Sequence, residues 1–250
     1  MKKNLLLVSI LFLSINIFGQ NDFHRWQIGA SFSPDYAYRT LSAEKNVDGA
    51  SNIISYLNTE DMEKLSFTTG ISLNYNFSSL FGLETGLFFS NKGYTSNPNI
   101  SLHDQFGGWI STGRWLYTLN YIDIPLKANF HFGKRRLNYL ATIGIAANFL
   151  QSHNREWLTK DSPYLLIQTE LNDDFVNKAN ISSIIGLGLE YKLSNKFTLR
   201  AIPTFRYALS ESFKDDAQYV DVNAGKILYT QISRNLWNIG IEFGIFYGIK

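Results

Sequence analysis

Apolar and polar side chains alternate along most of this 250-residue chain, and a period of two predicts β-strands. From Trp237 to Ile249, for example, every second residue is aromatic or aliphatic, and Gly240 and Glu242 lie between them. Eight segments show this alternation: 26–38, 65–77, 81–90, 116–132, 138–149, 181–192, 197–207 and 237–249. The sequence therefore predicts an all-β fold of eight strands.

The connections between the predicted strands are short and long in turn. Tight turns join the second strand to the third, the fourth to the fifth and the sixth to the seventh, at residues 78–79, 133–136 and 194–196. The remaining connections are long and polar, at about 40–64, 94–115, 151–179 and 210–231. Short periplasmic turns and long extracellular loops on an even number of strands are typical of outer-membrane barrels. We therefore predict an eight-stranded antiparallel transmembrane up-and-down β-barrel with both termini at the periplasmic end.

The two faces of the predicted strands differ in composition. The apolar face carries no Asp, Glu, Lys or Arg, whereas the polar face carries charges of both signs and ten glycines. A soluble barrel of the lipocalin type would also alternate, but its solvent face would be richer in Lys and Glu and poorer in glycine. Small residues beside a few long charged ones suit the narrow lumen of an eight-stranded barrel. We therefore place the polar face inside.

Aromatic residues gather at both ends of the apolar face, around a band of Ile and Leu. Two such girdles are typical of strands that cross a bilayer, so we expect outer-membrane lipid around the barrel. The alternative is a soluble β-protein with scattered core aromatics. Near the tight turns lie Trp26, Tyr75, Phe77, Phe81, Phe130, Phe132, Tyr139, Tyr191, Phe197 and Tyr247, and near the long connections lie Tyr36, Tyr38, Phe67, Phe89, Phe149, Phe205, Tyr207 and Trp237.

Residues 1–19 have the features of a secretory signal peptide: two lysines, an apolar run from Leu5 to Phe18, and Gly19 before Gln20. An N-terminal anchor helix is the alternative, although no basic flank follows. We expect residues 20–250 to form one outer-membrane barrel domain. Without Lys2 and Lys3, the 23 basic residues fall to 21 and balance the 21 acidic ones, which argues against a nucleic-acid partner. The chain has no cysteine and therefore no disulfide or thiolate metal site.

A short motif in the fourth strand gives a family resemblance. The run Tyr121-Ile-Asp-Ile-Pro-Leu126, followed by Phe130-His-Phe-Gly133, resembles the PorT-like outer-membrane β-barrel family of Bacteroidota. The resemblance implies the barrel fold, and the namesake of that family assists type IX secretion. The last strand, with Glu242, Gly244, Tyr247 and Ile249, also resembles the signal that the barrel assembly machinery reads, although it ends in Lys250 instead of an aromatic residue. That machinery is therefore an expected partner during biogenesis.

Charged residues on the polar face are candidates for a network inside the lumen. Charges in a low dielectric must be paired, so we interpret them as an ion-pair network that leaves no open aqueous channel. A proton or ion path is the alternative function. The predicted network comprises Glu84, Asp123, Lys127, Glu190, Lys192, Arg200, Arg206 and Glu242.

Catalytic motifs are missing from the sequence. It contains neither a His-Glu-x-x-His zinc motif nor a Gly-x-Ser-x-Gly elbow. Barrel enzymes keep their catalytic groups at the extracellular rim, where His103 with Asp104, and His153 near Ser152, are the candidates. Such loop residues are usually only solvated. We therefore expect no catalytic site, metal or cofactor, with a lipid A modifying hydrolase or a protease as the alternative.

The long connections carry apolar residues that could meet a partner, namely Trp109, Trp115, Trp157 and Tyr164. Exposed apolar loop residues can mark an interaction surface, but they can equally pack on each other or cap the lumen. We expect a structural or interaction role carried by these loops at the cell surface, with an accessory of protein secretion as its more specific form.

Overall fold

A computed structural model of the chain describes residues 24–43, 50–103, 109–133, 136–159, 166–170, 176–213, 217–221, 226–230 and 232–249. The predicted signal peptide, residues 1–19, lies outside them. In chain order the elements are β1 (Trp26–Ala43), α1 (Ala50–Glu60), β2 (Asp61–Met62), β3 (Lys64–Asn76), β4 (Phe81–Ser96), β5 (Ile100–His103), β6 (Trp109–Phe132), β7 (Leu137–Thr159), β8 (Leu166–Glu170), β9 (Ala179–Lys192), β10 (Phe197–Ala208), β11 (Ala217–Asp221), β12 (Lys226–Thr230) and β13 (Ile232–Ile249).

Eight of these strands close into a ring. In order, β1, β3, β4, β6, β7, β9, β10 and β13 each pair antiparallel with the next, and β13 returns to β1. Each ring strand therefore lies beside its neighbours in the chain, which confirms the predicted up-and-down barrel. Closure satisfies the backbone hydrogen bonds of every ring strand, as a strand in lipid requires.

Three tight turns define one end of the barrel, here called the turn end. They lie between β3 and β4, β6 and β7, and β9 and β10, where four residues separate the strands, close to the predicted positions. Two of them have the same chemistry, because a serine Oγ accepts hydrogen bonds from the backbone N–H groups two and three residues later: Ser78 from Leu80 and Phe81, and Ser194 from Lys196 and Phe197. The other end, where the long connections lie, is called the loop end.

Burial alternates along the ring strands as predicted, with the polar positions inside and the apolar positions outside. Outward side chains such as Ile71, Leu187 and Ile241 are 43 to 67% exposed, while the polar register points inward and is buried. Apolar residues that share the polar register fill the remaining interior: Phe88, Leu140, Ile184, Ile202 and Phe246 are at most 5% exposed. The lumen is therefore packed with side chains, as expected for eight strands.

The predicted long loops contain more strand than the sequence indicated. β6 spans 24 residues and β7 spans 23, although crossing a bilayer needs only about 9 to 11. Pairing between them continues beyond the girdle residue Phe149 as far as Gly113 and Thr159. Together with β5 and β8, residues 109–120 of β6 and 150–159 of β7 form a sheet that projects past the apolar band, here called the loop-end wall.

The first long connection contains the helix α1. Arg39 on β1 holds its C-terminal end, donating to the Leu57 carbonyl oxygen and the Asn58 Oδ1 and forming an ion pair with Asp61 at 2.5 Å. No helix among the described residues is long and apolar enough to cross a membrane.

Candidate functional site

A continuous chain of ion pairs crosses the lumen. Glu84 forms ion pairs with both Lys127, at 2.5 Å, and Arg200, at 2.9 Å. Each of these cations contacts a second carboxylate, so acids and bases alternate along the whole chain. Its members, in order, are Asp35, Arg206, Glu242, Lys127, Glu84, Arg200, Glu190 and His131.

Strand register and lumen width together explain this order. Glu84 and Lys127 are direct cross-strand partners on β4 and β6, and Arg200 and Glu190 are direct partners on β10 and β9. The contact between Arg200 and Glu84 joins these two pairs across the interior. Because eight strands enclose so narrow a space, long side chains from opposite walls meet.

Every charged side chain in this ion-pair chain is at most 10% exposed. Neutral donors and acceptors complete the shells: Asn129 donates to Glu84 at 2.9 Å, Gln27 accepts from Arg200 at 3.1 Å, and Thr68 donates to Asp35 at 2.6 Å. Four carboxylates face three permanent cations and the His131 imidazole. Buried charges are tolerated only when paired in this way.

A second ion pair lies nearer the loop end. Lys92 contacts Asp123 at 3.2 Å, and Asn148 donates to the same carboxylate at 2.6 Å. The Lys92 ammonium lies 4.9 Å from the ring centre of Tyr121, a cation–π contact. Between this pair and the longer chain is a void of about 20 Å³, which has room for about one water molecule.

An apolar cluster closes the loop end of the lumen. Val176 and Phe213 come from segments between strands and join each other through an isolated bridge, and Phe213 also bridges to Arg234 on β13. They pack against lumen-facing residues of the ring strands. The buried members are Tyr94, Leu119, Tyr121, Val176, Phe213 and Leu236. Polar network and apolar cluster together leave no aqueous passage through the described residues.

Lys64 lies just beyond the outward apolar row of β3, which begins at Leu65. Its ammonium donates to Thr118 Oγ1 at 3.0 Å and to the Tyr117 carbonyl oxygen at 3.5 Å. Burial penalises the charged form and lowers the pKa of Lys64 to about 8, although Glu156 opposes the shift.

The structure brings together most of the predicted lumen residues. Glu84, Lys127, Glu190, Arg200, Arg206 and Glu242 belong to the long chain, and Asp123 forms the separate pair. Lys192 differs from the prediction. It is the last residue of β9 and is exposed at the turn-end rim, because the strand leaves the lumen before that position. It forms no ion pair with the described residues.

The predicted loop tryptophans also require correction. Trp115 and Trp157 lie in β6 and β7, not in loops, and they face each other across the pair with ring centres 4.9 Å apart. Trp157 is fully buried and donates from its indole N–H to Ser111 Oγ at 2.9 Å. Of the two alternatives, packing on each other therefore holds for this pair. Trp109 begins β6, and Tyr164 lies outside the described residues.

The rim candidates for catalysis are only partly described. Ser152 Oγ accepts from Asn120 Nδ2 at 2.9 Å. His103 belongs to β5, and Asp104 lies outside the described residues. Among the described residues, no group of three or more His, Asp or Glu side chains could hold a metal ion.

Three lumen residues were missing from the predicted network: Asp35, Lys92 and His131. All three occupy the inward register of their strands, so the same alternation could have found them. Lys92 was missed because the third segment was ended at Ser90, whereas β4 continues to Ser96.

One family model supports this architecture, and several solved structures resemble the chain. A family model described as an outer membrane protein beta-barrel domain matches residues 18–215. Neisserial surface protein A is 11% identical, with a TM-score of 0.41, and the match covers 90% of this chain and 97% of that one. The outer membrane protein OprG of Pseudomonas aeruginosa is 11% identical, with a TM-score of 0.43 and coverages of 88% and 96%. The outer membrane protease OmpT of Escherichia coli is 11% identical, with a TM-score of 0.44, and the match covers 90% of this chain and 96% of that one. No curated protein matches the chain.

Proposed function

The chain belongs to the outer membrane protein beta-barrel domain family, and we propose that it acts there as a closed barrel that anchors an interaction surface outside the cell. It resides in the outer membrane, with the turn end toward the periplasm and the loop end outside. The observation that carries the proposal is the blocked lumen. The ion-pair chain bridges opposite walls, and the cluster around Tyr94 and Phe213 covers it.

The loop-end wall supports the interaction role. At about 3.4 Å per residue, β6 is about 80 Å long, far more than the bilayer requires. Internal packing stiffens the wall, since the Arg155 guanidinium lies 3.7 Å from the ring centre of Trp115, which in turn contacts Trp157. A stiff sheet held above the lipid presents a surface at low entropic cost to a partner.

Two measurements test the proposal. Purified protein in planar bilayers should show no steady conductance, and sustained open channels would contradict the closed lumen. In intact cells, a photo-cross-linker at the exposed Arg114 of β6 should capture a partner, and one at Asn195 in a periplasmic turn should not. Capture only from Asn195 would refute the surface-binding role.

A role as a secretion accessory is the second candidate. We propose that the chain is PorT-like because three positions of its motif have a structural use: Tyr121 closes the lumen, Asp123 pairs with Lys92, and the Pro125 carbonyl accepts from Thr85 at 2.8 Å. Deleting the gene should then reduce the export of type IX cargo in a host that has this system. Unchanged export would leave only the surface role.

We also propose that the protein is not an enzyme. Ser152, the nearest nucleophile to a rim histidine in the sequence, is already hydrogen-bonded to Asn120. Purified barrel should not release fatty acid from lipid A and should not cleave peptides. Either activity, if lost in His153→Ala, would establish the rival function.

A further inference from the structure

The lipid-facing surface of the barrel contains a groove of about 900 Å³. The groove runs across the strands, along the direction of the inter-strand hydrogen bonds, and spans six of them. One side is a row of successive cross-strand partners: Ile71, Ala30, Ile245, Leu199, Tyr191 and Leu137. The other side is the adjacent row: Thr69, Phe32, Phe243, Ala201 and Leu189.

Two alanines explain the depression. Ala30 and Ala201 have short side chains, while neighbours such as Phe32 and Phe243 project into the lipid. With strands about 4.8 Å apart, six strands give a length of about 24 Å. Because the strands are tilted, the groove rises from Leu137 at the turn-end rim to Ile71 at mid-height. One end therefore opens at the periplasmic headgroup level.

Basic residues surround that end. Arg136 precedes Leu137, and Lys192 follows Tyr191, so both adjoin the first residues of the groove, and their backbones are joined by a hydrogen bond of 2.7 Å. Lys196 lies in the next turn, with its ammonium 5.9 Å from the ring centre of the lipid-facing Tyr247. The side chains of Arg136, Lys192 and Lys196 are all exposed. Arg25 precedes β1, on the far side of the ring from β7, and does not belong to this cluster.

No carboxylate of the described chain lies within ion-pair distance of the three clustered residues. Glu190, the nearest acid in sequence to Lys192, is buried in the lumen and held by Arg200. The opposite part of the rim is apolar: Phe77, Leu80 and Phe132 are exposed there. Among the described rim residues, Arg136, Lys192 and Lys196 therefore bring positive charge without a paired carboxylate to the place where the groove opens.

From this coincidence we infer a binding site for an anionic phospholipid of the periplasmic leaflet. Its headgroup phosphate lies between Arg136 and Lys192, with Lys196 adding to the attraction. One acyl chain follows the groove past Leu199 to Ala30. A zwitterionic lipid can occupy the groove but gains much less from the cationic cluster.

Native mass spectrometry tests this site. The folded barrel is released from bicelles that contain equal amounts of phosphatidylglycerol and phosphatidylethanolamine with identical acyl chains. We expect phosphatidylglycerol to be retained preferentially. Because each surface cation contributes about fivefold to anionic-lipid binding, the double variant Arg136→Gln/Lys192→Gln should retain about 25-fold less.

Matched variants make the test specific. Arg114→Gln removes an exposed cation at the loop end and should change nothing. Ala201→Phe fills the groove and should reduce retention of both lipids, whereas Ala128→Phe, on the lipid face outside the groove, should not. Heat-modifiable migration on gels verifies folding of each variant. Equal retention of the two lipids by the unmodified protein, or equal losses in Arg114→Gln and the double variant, would overturn the headgroup site. Equal effects of the two alanine variants would overturn the groove.

Discussion

The Glu84 carboxylate on β4 accepts a hydrogen bond at 2.9 Å from the Arg200 guanidinium on β10, across the full width of the lumen. The same guanidinium also binds Glu190 on β9. Arg200 therefore links three strands that are not all neighbours, and much of the interior depends on it.

Replacing Arg200 with Met should strongly destabilise the barrel. Two buried carboxylates would each lose a charged partner, and such a loss typically costs about 3 to 5 kcal/mol. Urea unfolding in lipid vesicles measures the change. Arg114→Met, at an exposed position, is the control and should have little effect. If Arg200→Met lowered the free energy of unfolding by less than about 1 kcal/mol, the ion-pair chain would contribute little to stability.

Gly240→Val should prevent stable folding because the added side chain would collide with Asp35. A Cβ at this position would contact the Asp35 carboxylate and the Pro34 carbonyl oxygen of the neighbouring strand. The control Ala141→Val adds bulk on the outward face, where lipid can yield. The heat-modifiable fraction on unboiled gels is the readout, and equal fractions for the two variants would refute the steric argument.

Ile241→Arg should cost about 2 to 4 kcal/mol, since Ile241 faces lipid on the spanning part of β13. The same substitution at the exposed Asn99 should be nearly neutral. Unfolding free energies in vesicles compare the two variants. Equal costs would show that the outward face does not meet lipid.

Trp157→Ala should loosen the loop-end wall without opening the barrel. The substitution empties a fully buried site and leaves Ser111 without its indole donor, and large-to-small changes of this kind cost about 3 to 5 kcal/mol. Protease added to intact cells should then cut within residues 109–120 or 150–159. Leu158→Ala, one residue away on the other face, should stay resistant, and resistance of both variants would contradict the packing role.

Lys64 should make stability depend on pH. Its pKa is about 8 in the folded protein and near 10.5 when exposed, so between these values the unfolded chain binds more protons. The free energy of unfolding should therefore rise as the pH increases from 8 to 10.5, by on the order of 2 to 3 kcal/mol. Lys64→Met should remove this part of the rise. An identical pH profile in the variant would exclude Lys64 as its source.

The sequence by itself determined the central part of each ring strand, which end carries the tight turns and which face points to lipid. These features are local: a period of two fixes side-chain direction, and slipping by one residue would reverse every side chain. Hence Ile241 and Glu242 could be assigned to opposite faces without a structure. The exposure of Lys192 at the rim escaped this reasoning because alternation does not show where a strand leaves the lumen.

Only the tertiary structure decided which groups meet. Glu84 and Arg200 are 116 residues apart, and their contact depends on the width of the closed ring, which no local pattern encodes. The burial of Trp157 likewise depends on pairing that continues beyond the bilayer. The lipid groove depends on strand stagger, which aligns Ala30 with Leu199 and Leu137 along one row. Local periodicity fixes the direction of each side chain, whereas ring closure and strand stagger fix the distances between residues on different strands.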